Sequence, residues 1–461
     1  MMAASFDRLR RSASERLAID RVLLVAFMAR LWQSFAGLGT LFFVIRYFSP
    51  DTQGYFQTFL SLIALQSFVE LGLLAVIVVV VSHEWAGLTG SRSARVTGAA
   101  DKRARLAAAA RFVGLWFGFA ALLLLLAGGG AGYAILAQHG NSSAWLLPWA
   151  ATIGLASILL WSQGFVAILE GCNQLYGVAL YRFVQAIVSA VALWTAAALG
   201  ADLWSLAIQL LASVACASIF LAIVYRRFLL DLFRAAGPST FRWRVDIWPM
   251  QWQLALQGVV GFLLFSLFVP VMFSYEGPVE AGRMGLSLQV ILAVIALATT
   301  WLTVTTPRLG TMFAAGEYRK FETSWARAST GSMLIIGAAA TAVLTCVWVA
   351  DRQGVEVARR FLAPWPFTFL VLWALMLQIM QCATTYWRSQ RVELLRAWGV
   401  APGISTGLAT WLLGSQWGAL GATLGAFLAG ALVTVPLCLY FFFKARANVR
   451  KLKAGAEPAS K

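Results

Sequence analysis

Twelve times along the 461 residues of this chain an apolar run appears that is about as long as a bilayer core is thick, and no other feature restricts folding as much. The runs lie at 22–45, 54–82, 106–137, 144–168, 177–199, 203–225, 247–274, 282–306, 331–350, 364–387, 394–413 and 417–443. A hydrocarbon core of about 30 Å takes roughly 20 residues of helix to cross. Lipid offers the backbone no hydrogen-bond partners, so each run must satisfy its own amides as a helix. The alternating segments of about ten residues that build a membrane barrel are missing. The expected fold is an all-α integral membrane protein of about 12 transmembrane helices. The eleventh run is interrupted by Pro402-Gly403 and shortened by Arg396, so it is expected to be broken or partly re-entrant. Charged residues make up only 12% of the chain, about half the usual share, which leaves no room for a large soluble catalytic domain.

The net charge of +17 is first a question of where the cations sit. With the N-terminus placed inside, 29 Lys and Arg fall in inner segments and five (Arg46, Arg283, Arg352, Arg359, Arg360) on the other side, while Arg30 and Arg111 lie within runs. By the positive-inside rule both termini are expected to be cytoplasmic. Segment 351–363, with three outer arginines, is the weak point of that assignment. The excess charge is then an orientation signal facing anionic lipid headgroups, and no nucleic-acid partner is expected. The basic N-terminal segment lacks a short apolar core with a small-residue cleavage site, so no cleaved signal peptide is expected.

Residues 226–246, basic and carrying Gly237-Pro238, separate six runs from six. The expected organisation is an N-terminal lobe at 1–225, a basic cytoplasmic linker at 226–246, a C-terminal lobe at 247–443 and a basic cytoplasmic tail at 444–461. The two six-helix lobes would flank a central cavity. Pro50-x-x-x-Gly54 before the second run matches Pro278-x-x-x-Gly282 before the eighth, and Trp32-Gln33 matches Trp252-Gln253, at offsets that differ by an eight-residue insertion. An internal repeat is consistent with this. Trp85, Trp145, Trp149, Trp204, Trp243, Trp248, Trp348, Trp365 and Trp387 fall near run ends and read as interfacial anchors, with sugar stacking by Trp145 or Trp149 as the alternative.

An ionisable group near the bilayer centre costs about 2.5–3.5 kcal/mol on insertion scales, so it needs a partner or a water-filled cavity. Arg30 lies nine residues past Arg21, roughly 13 Å into the first run. Gln33, Ser34 and Gly37 follow at helical spacing, forming a polar, small-residue stripe. The second run carries Gln66, Ser67 and Glu70 on one face. Glu70 is either an internal partner of Arg30 or a proton or sodium site. Glu170 and Arg182 read as a charged vestibule or an interfacial pair. In the second half Gln253, Gln257, Arg283, Gln378 and Gln381 supply amides and one cation, with no carboxylate in mid-run. Gly128-Gly129-Gly130 lies in an apolar run and reads as a site of close packing or bending. Two histidines and five cysteines without C-x-x-C spacing give no reason to expect a metal or a disulfide. No phosphate-binding loop, nucleophile elbow or metalloprotease motif is present, so no catalytic residues and no cofactor are expected and the chain reads as a carrier rather than an enzyme.

The segment 46–73, RYFSPDTQGYFQTFLSLIALQSFVELGL, followed by Ser82-His83-Glu84-Trp85, and the Y-R-F-V-Q at 181–185 resemble the polysaccharide (Wzx-type) flippases of the multidrug/oligosaccharidyl-lipid/polysaccharide exporter superfamily. The resemblance implies translocation of a polyprenyl-diphosphate-linked oligosaccharide, an O-antigen or exopolysaccharide repeat unit, across a bacterial inner membrane by alternating access through a cationic cavity. Polysaccharide polymerase and glycosyltransferases would be its protein partners. Carried onto this chain, Arg30 and Glu70 fall in helices lining that cavity, with Arg30 as headgroup ligand, Arg182 on the inner approach and Arg283 near the exit. Two negative charges moving outward against an inside-negative potential gain roughly 4–5 kcal/mol per 100 mV, so coupling to Na+, to H+ or to the potential alone stays open. The alternatives are a cation-coupled multidrug exporter of the same superfamily and a non-transporting membrane scaffold for glycan assembly.

Overall fold

The computed structural model describes residues 2–90, 95–139, 142–234, 242–243, 247–390 and 399–456. Arg396, most of 235–246 and the end of the tail lie outside them, as does the side chain of Ser34. Among the described residues the chain is helical, with no β-structure beyond an isolated bridge between Thr89 and Thr97. Nine helical segments there are long and apolar enough to cross a bilayer, and two bent pairs raise the number to eleven.

The first bent pair is the second apolar run. It divides into α2 (Pro50–Ile63), the short α3 (Gln66–Glu70) and α4 (Leu73–Trp85), with a bend of 42°. Leu71 and Gly72 are both left-handed, at φ 52° and 67°, and two such residues in succession cannot continue a right-handed helix. Gly72 has a second reason to lack a side chain, because a Cβ there would lie 2.4 Å from Leu254 Cβ. The other pair, α11 (Trp248–Phe265) and α12 (Phe268–Glu276), bends by 43°.

The segment 401–450 is folded on itself. In α16 (Ala401–Ala429) the backbone leaves the helix at Trp417 and Gly418, where Gly418 takes φ 56°. A Cβ on Gly421 would come 2.0 Å from Leu413 O, and one on Gly425 2.7 Å from Ala409 O. In a straight helix residues 409 and 425 would be about 24 Å apart, so the two arms run antiparallel and account for the last two apolar runs. The expected break at Pro402-Gly403 is thereby corrected. Pro402 occupies the first turn of α16, where a proline removes no hydrogen bond, and the chain turns fifteen residues later.

By contacts the chain forms two units: residues 1–52 with 62–258, and 53–61 with 259–461. The change between them falls at Gly258, inside the seventh apolar run, and nine residues of α2 belong to the second unit. In the first unit α1 (Met2–Tyr47) packs along α8 (Leu175–Ala198). Trp194 is the centre of that seam. Phe43 stacks on it at 5.5 Å, Gly39 leaves room for its ring, and its Nε1 donates to Thr40 Oγ1 at 3.1 Å. The remaining helices of this unit are α5 (Ala100–Leu123), which continues through a π-helical turn at Leu124–Gly128 into α6 (Gly129–Leu136), then α7 (Ser142–Gly171) and α9 (Trp204–Ile219). From the expected linker, α10 (Arg226–Arg234) buries Phe228 and Leu232, and its Asp231 accepts the Val96 N–H at 2.8 Å. The second unit adds α13 (Pro278–Ala314), α14 (Tyr318–Arg352), a 3-10 turn at Glu356–Arg360, α15 (Pro364–Arg388), α16 and α17 (Val435–Ala456).

Trp145 and Trp149 are only 1% and 2% exposed, and Trp387 is equally buried. This corrects their reading as interfacial anchors and leaves no surface on the first two for stacking a sugar. Trp149 lies against Gly132, whose Cβ would be 2.2 Å from the indole, and donates from Nε1 to Gly129 O at 3.2 Å. The close packing thus falls at Gly132, outside the run Gly128-Gly129-Gly130, where a Cβ on Gly129 would meet Ile153 at an ordinary 3.8 Å and one on Gly130 nothing within 4 Å. Trp149→Ala is expected to lower stability by about 3–5 kcal/mol, and Trp149→Phe by about 1 kcal/mol through the lost hydrogen bond. Thermal unfolding in detergent checks both, and an unchanged melting temperature for the alanine variant would contradict the packing described.

Candidate functional site

The polar stripe expected on the first span lies on α1. On α1 the residues facing α8 are Trp32, Gly39, Thr40 and Phe43. At 100° per residue Arg30 and Gly37 fall roughly 120–140° away from that seam, on the far side of the helix, and Gln33 about 80° away, on its flank. All three are exposed, and a Cβ placed on Gly37 would meet nothing within 4 Å. The stripe thus combines an exposed arginine, an exposed amide and an open glycine surface.

Glu70 is half-buried and closes α3 at the break of the second span. Its carboxylate has the Leu74 backbone N–H, in the first turn of α4, as hydrogen-bonding neighbour. A helix N-terminus carries a partial positive charge and unsatisfied donors, so an acidic side chain is held there favourably. The break also lies against α11. A Cβ on Gly258 would be 3.1 Å from Ser67 O, and Gly72 abuts Leu254. Gln253 and Gln257 immediately precede those two α11 contact residues; Gln253 is half-buried and Gln257 exposed. The break of the second span thus packs on α11 at Leu254 and Gly258, while Arg30 belongs to the helix seated on α8.

Arg182 and Arg283 are each ion-paired. Arg182 donates to Glu170 Oε2 at 2.6 Å. Arg283 pairs with Glu280 and donates from Nε to Arg359 O at 2.9 Å. Gln378 is fully buried, donates to Ser332 Oγ at 2.6 Å and accepts from Thr299 Oγ1 at 3.2 Å. Its reading as a substrate ligand is corrected, since the amide is consumed in tying three helices together. Gln381, one turn on, is half-buried, and its backbone carbonyl accepts the hydroxyls of Thr384 and Thr385.

A polar cluster in the second unit was not anticipated. The two Pro-x-x-x-Gly segments, read in the sequence as copies of a repeat, are packing partners. A Cβ on Gly54 would lie 1.8 Å from Pro278 O, one on Gly282 2.9 Å from Gly54 N, and one on Gly285 2.6 Å from Gln57 Cβ. Around this crossing Gln289 Nε2 donates to Gln57 Oε1 at 3.1 Å, Gln53 Nε2 to Arg360 O at 3.2 Å, and the Leu362 N–H to Ser287 Oγ at 3.0 Å. Small residues that let helix backbones touch are the usual means of joining helices in lipid. Arg360 of segment 351–363 thus has a packing role, because Gln53 near the start of α2 donates to its carbonyl.

No protein-family model matches this chain, and no curated protein does. Among solved structures, an inward-facing multidrug resistance MATE family transporter of the MOP superfamily is similar over 95% of this chain and 99% of its own, at 13% identity and TM-score 0.65. The lipid II flippase MurJ in an inward closed conformation is similar over 92% and 90%, at 12% identity and TM-score 0.66. A MOP superfamily transporter from Pyrococcus furiosus, described by a reverse polarity of its binding pocket, covers 95% and 96% at 14% identity and TM-score 0.57. The chain has the fold of MOP superfamily transporters, a multi-pass helical membrane fold.

Proposed function

We propose that this protein is a flippase that carries a polyprenyl-diphosphate-linked oligosaccharide across a bacterial inner membrane by alternating access, with both termini cytoplasmic. The observation that carries the reading is the exposed Arg30 stripe on α1 in a fold shared with a protein named as a lipid II flippase. A guanidinium on an open polar face is suited to a diphosphate, which it can engage by paired, charge-assisted hydrogen bonds. Gln33 and the α11 amides Gln253 and Gln257 would serve the sugar hydroxyls. Arg182 and Arg283, already ion-paired, would act through exchange of partners. The test is flipping of a lipid-linked oligosaccharide in reconstituted vesicles, with export of surface polysaccharide as the cellular readout.

A cation-coupled multidrug exporter is the second reading, favoured by Glu70 at the break of the second span and by a fold shared with a MATE transporter. Glu70→Gln separates the two. The amide keeps an acceptor for the Leu74 N–H but cannot take up a proton at neutral pH and lacks the negative charge that would hold a sodium ion. A potential-driven flippase is expected to keep transporting with this variant, whereas the exporter requires loss of drug resistance in expressing cells.

A further inference from the structure

A cleft of about 500 Å³ opens on the first unit where α8 begins and α9 ends, in the size range of sites for small organic ligands. Its walls are apolar, supplied by Leu180 and Val184 of α8 and by Ile219, Phe220 and Val224 at the end of α9. Several of these walls face outward, with Leu180 40%, Val184 44% and Ile219 54% exposed. The shape has a local cause. After Ile219 the helix widens into a π-helical turn, Phe220–Val224, closed by the Tyr225 N–H on Phe220 O at 3.0 Å. Such turns displace the side chains that follow and recur at functional sites. On the facing helix Gly177 leaves room for the Tyr225 hydroxyl, which a Cβ would approach to 2.2 Å. Tyr181 stacks on Phe220 at 4.4 Å, and its buried hydroxyl makes no hydrogen bond of ordinary geometry among the described residues.

Polar residues line part of the cleft, and a basic pair follows it in the chain. Asn173 and Gln174 line it, and Arg226 and Arg227, both exposed, follow Tyr225 directly. The nearby acids are engaged elsewhere, Glu170 by Arg182 and Asp231 by the Val96 N–H. An apolar slot whose lining ends at Tyr225, with two exposed arginines next in the chain, matches an amphiphile with an anionic head. We infer that the cleft between α8 and α9 binds an anionic phospholipid of the surrounding leaflet, one acyl chain in the slot and the phosphate on Arg226 and Arg227. This site is separate from the Arg30 stripe and does not depend on the transported substrate.

The full-length protein in detergent, titrated with phosphatidylglycerol or phosphatidylcholine and followed by native mass spectrometry, tests it. The wild type is expected to retain phosphatidylglycerol preferentially. The double variant Arg226→Ala/Arg227→Ala, altered only at exposed positions, should lose about tenfold or more of that preference, at roughly 1 kcal/mol per basic residue near a lipid surface. Cys216 of α9 also lines the slot, so Cys216→Trp, which fills it, should reduce retention of both lipids, while Cys216→Ser should not. Equal phosphatidylglycerol retention by the wild type and the double variant overturns the proposal. So does a wild type without lipid preference, or a double variant that loses only binding of an added polyprenyl phosphate.

Discussion

Replacing Arg30 by alanine is expected to slow flipping of a lipid-linked oligosaccharide roughly 10- to 100-fold, the equivalent of one charge-assisted contact to a diphosphate. The protein should remain folded, because Arg30 is exposed and lies off the α8 seam that holds α1 in place. Arg30→Lys should recover part of the rate, since it restores the charge without the paired geometry of a guanidinium. Initial rates in vesicles at saturating and limiting substrate would show whether binding or translocation is affected. Normal transport by the alanine variant removes the central element of the proposed function.

The largest stability effect is expected at Gly54. One added methyl group would be placed 1.8 Å from Pro278 O, a backbone atom that cannot move without shifting the start of α13. Gly54→Ala is therefore expected to lower stability by about 3 kcal/mol or more, at or beyond the upper end for overpacking substitutions. Gly37→Ala is the control. It meets nothing within 4 Å and should be neutral or stabilising by up to about 1 kcal/mol from helix propensity. Melting temperatures of the two purified variants compare them directly, and similar values would show that the Gly54 crossing is not as tight as the geometry requires.

Much of this architecture was legible in the residues, for a physical reason. A helix in lipid must be long and apolar, so span number and approximate limits follow from hydropathy, and most apolar runs coincide with helices to within a few residues. Hydropathy carries no information about φ, which is why the breaks at Leu71-Gly72 and Trp417-Gly418 lie hidden in apolar sequence while Pro402 attracts attention it does not merit. Aromatic residues at span ends serve equally as headgroup anchors and as core, and only the opposing surface decides. Trp149 meets Gly132 and is buried; Trp365 is 62% exposed. Amides are ambiguous in the same way. Gln378 and Gln257 have the same chemistry in the sequence, but Ser332 and Thr299 occupy the first while the second stays open. The Gly54–Pro278 crossing left a visible trace, two like motifs, whose meaning as a contact required the fold.

The interrupted second span also bears on how sequences of this fold can change length. Inserting one residue into α13, an uninterrupted helix of 37 residues, would rotate everything beyond it by about 100° and advance it by 1.5 Å. An insertion between Pro278 and Gly285 would therefore carry Gly282 or Gly285 off Gly54 and Gln57. The non-helical residues at 64–65 and 71–72 can absorb the same insertion locally, leaving α2 and α4 each in its own register. Tolerance to insertions and deletions should accordingly concentrate at the joints of the broken spans, and a library of single-residue insertions would display that pattern as two windows of retained expression flanked by lost ones.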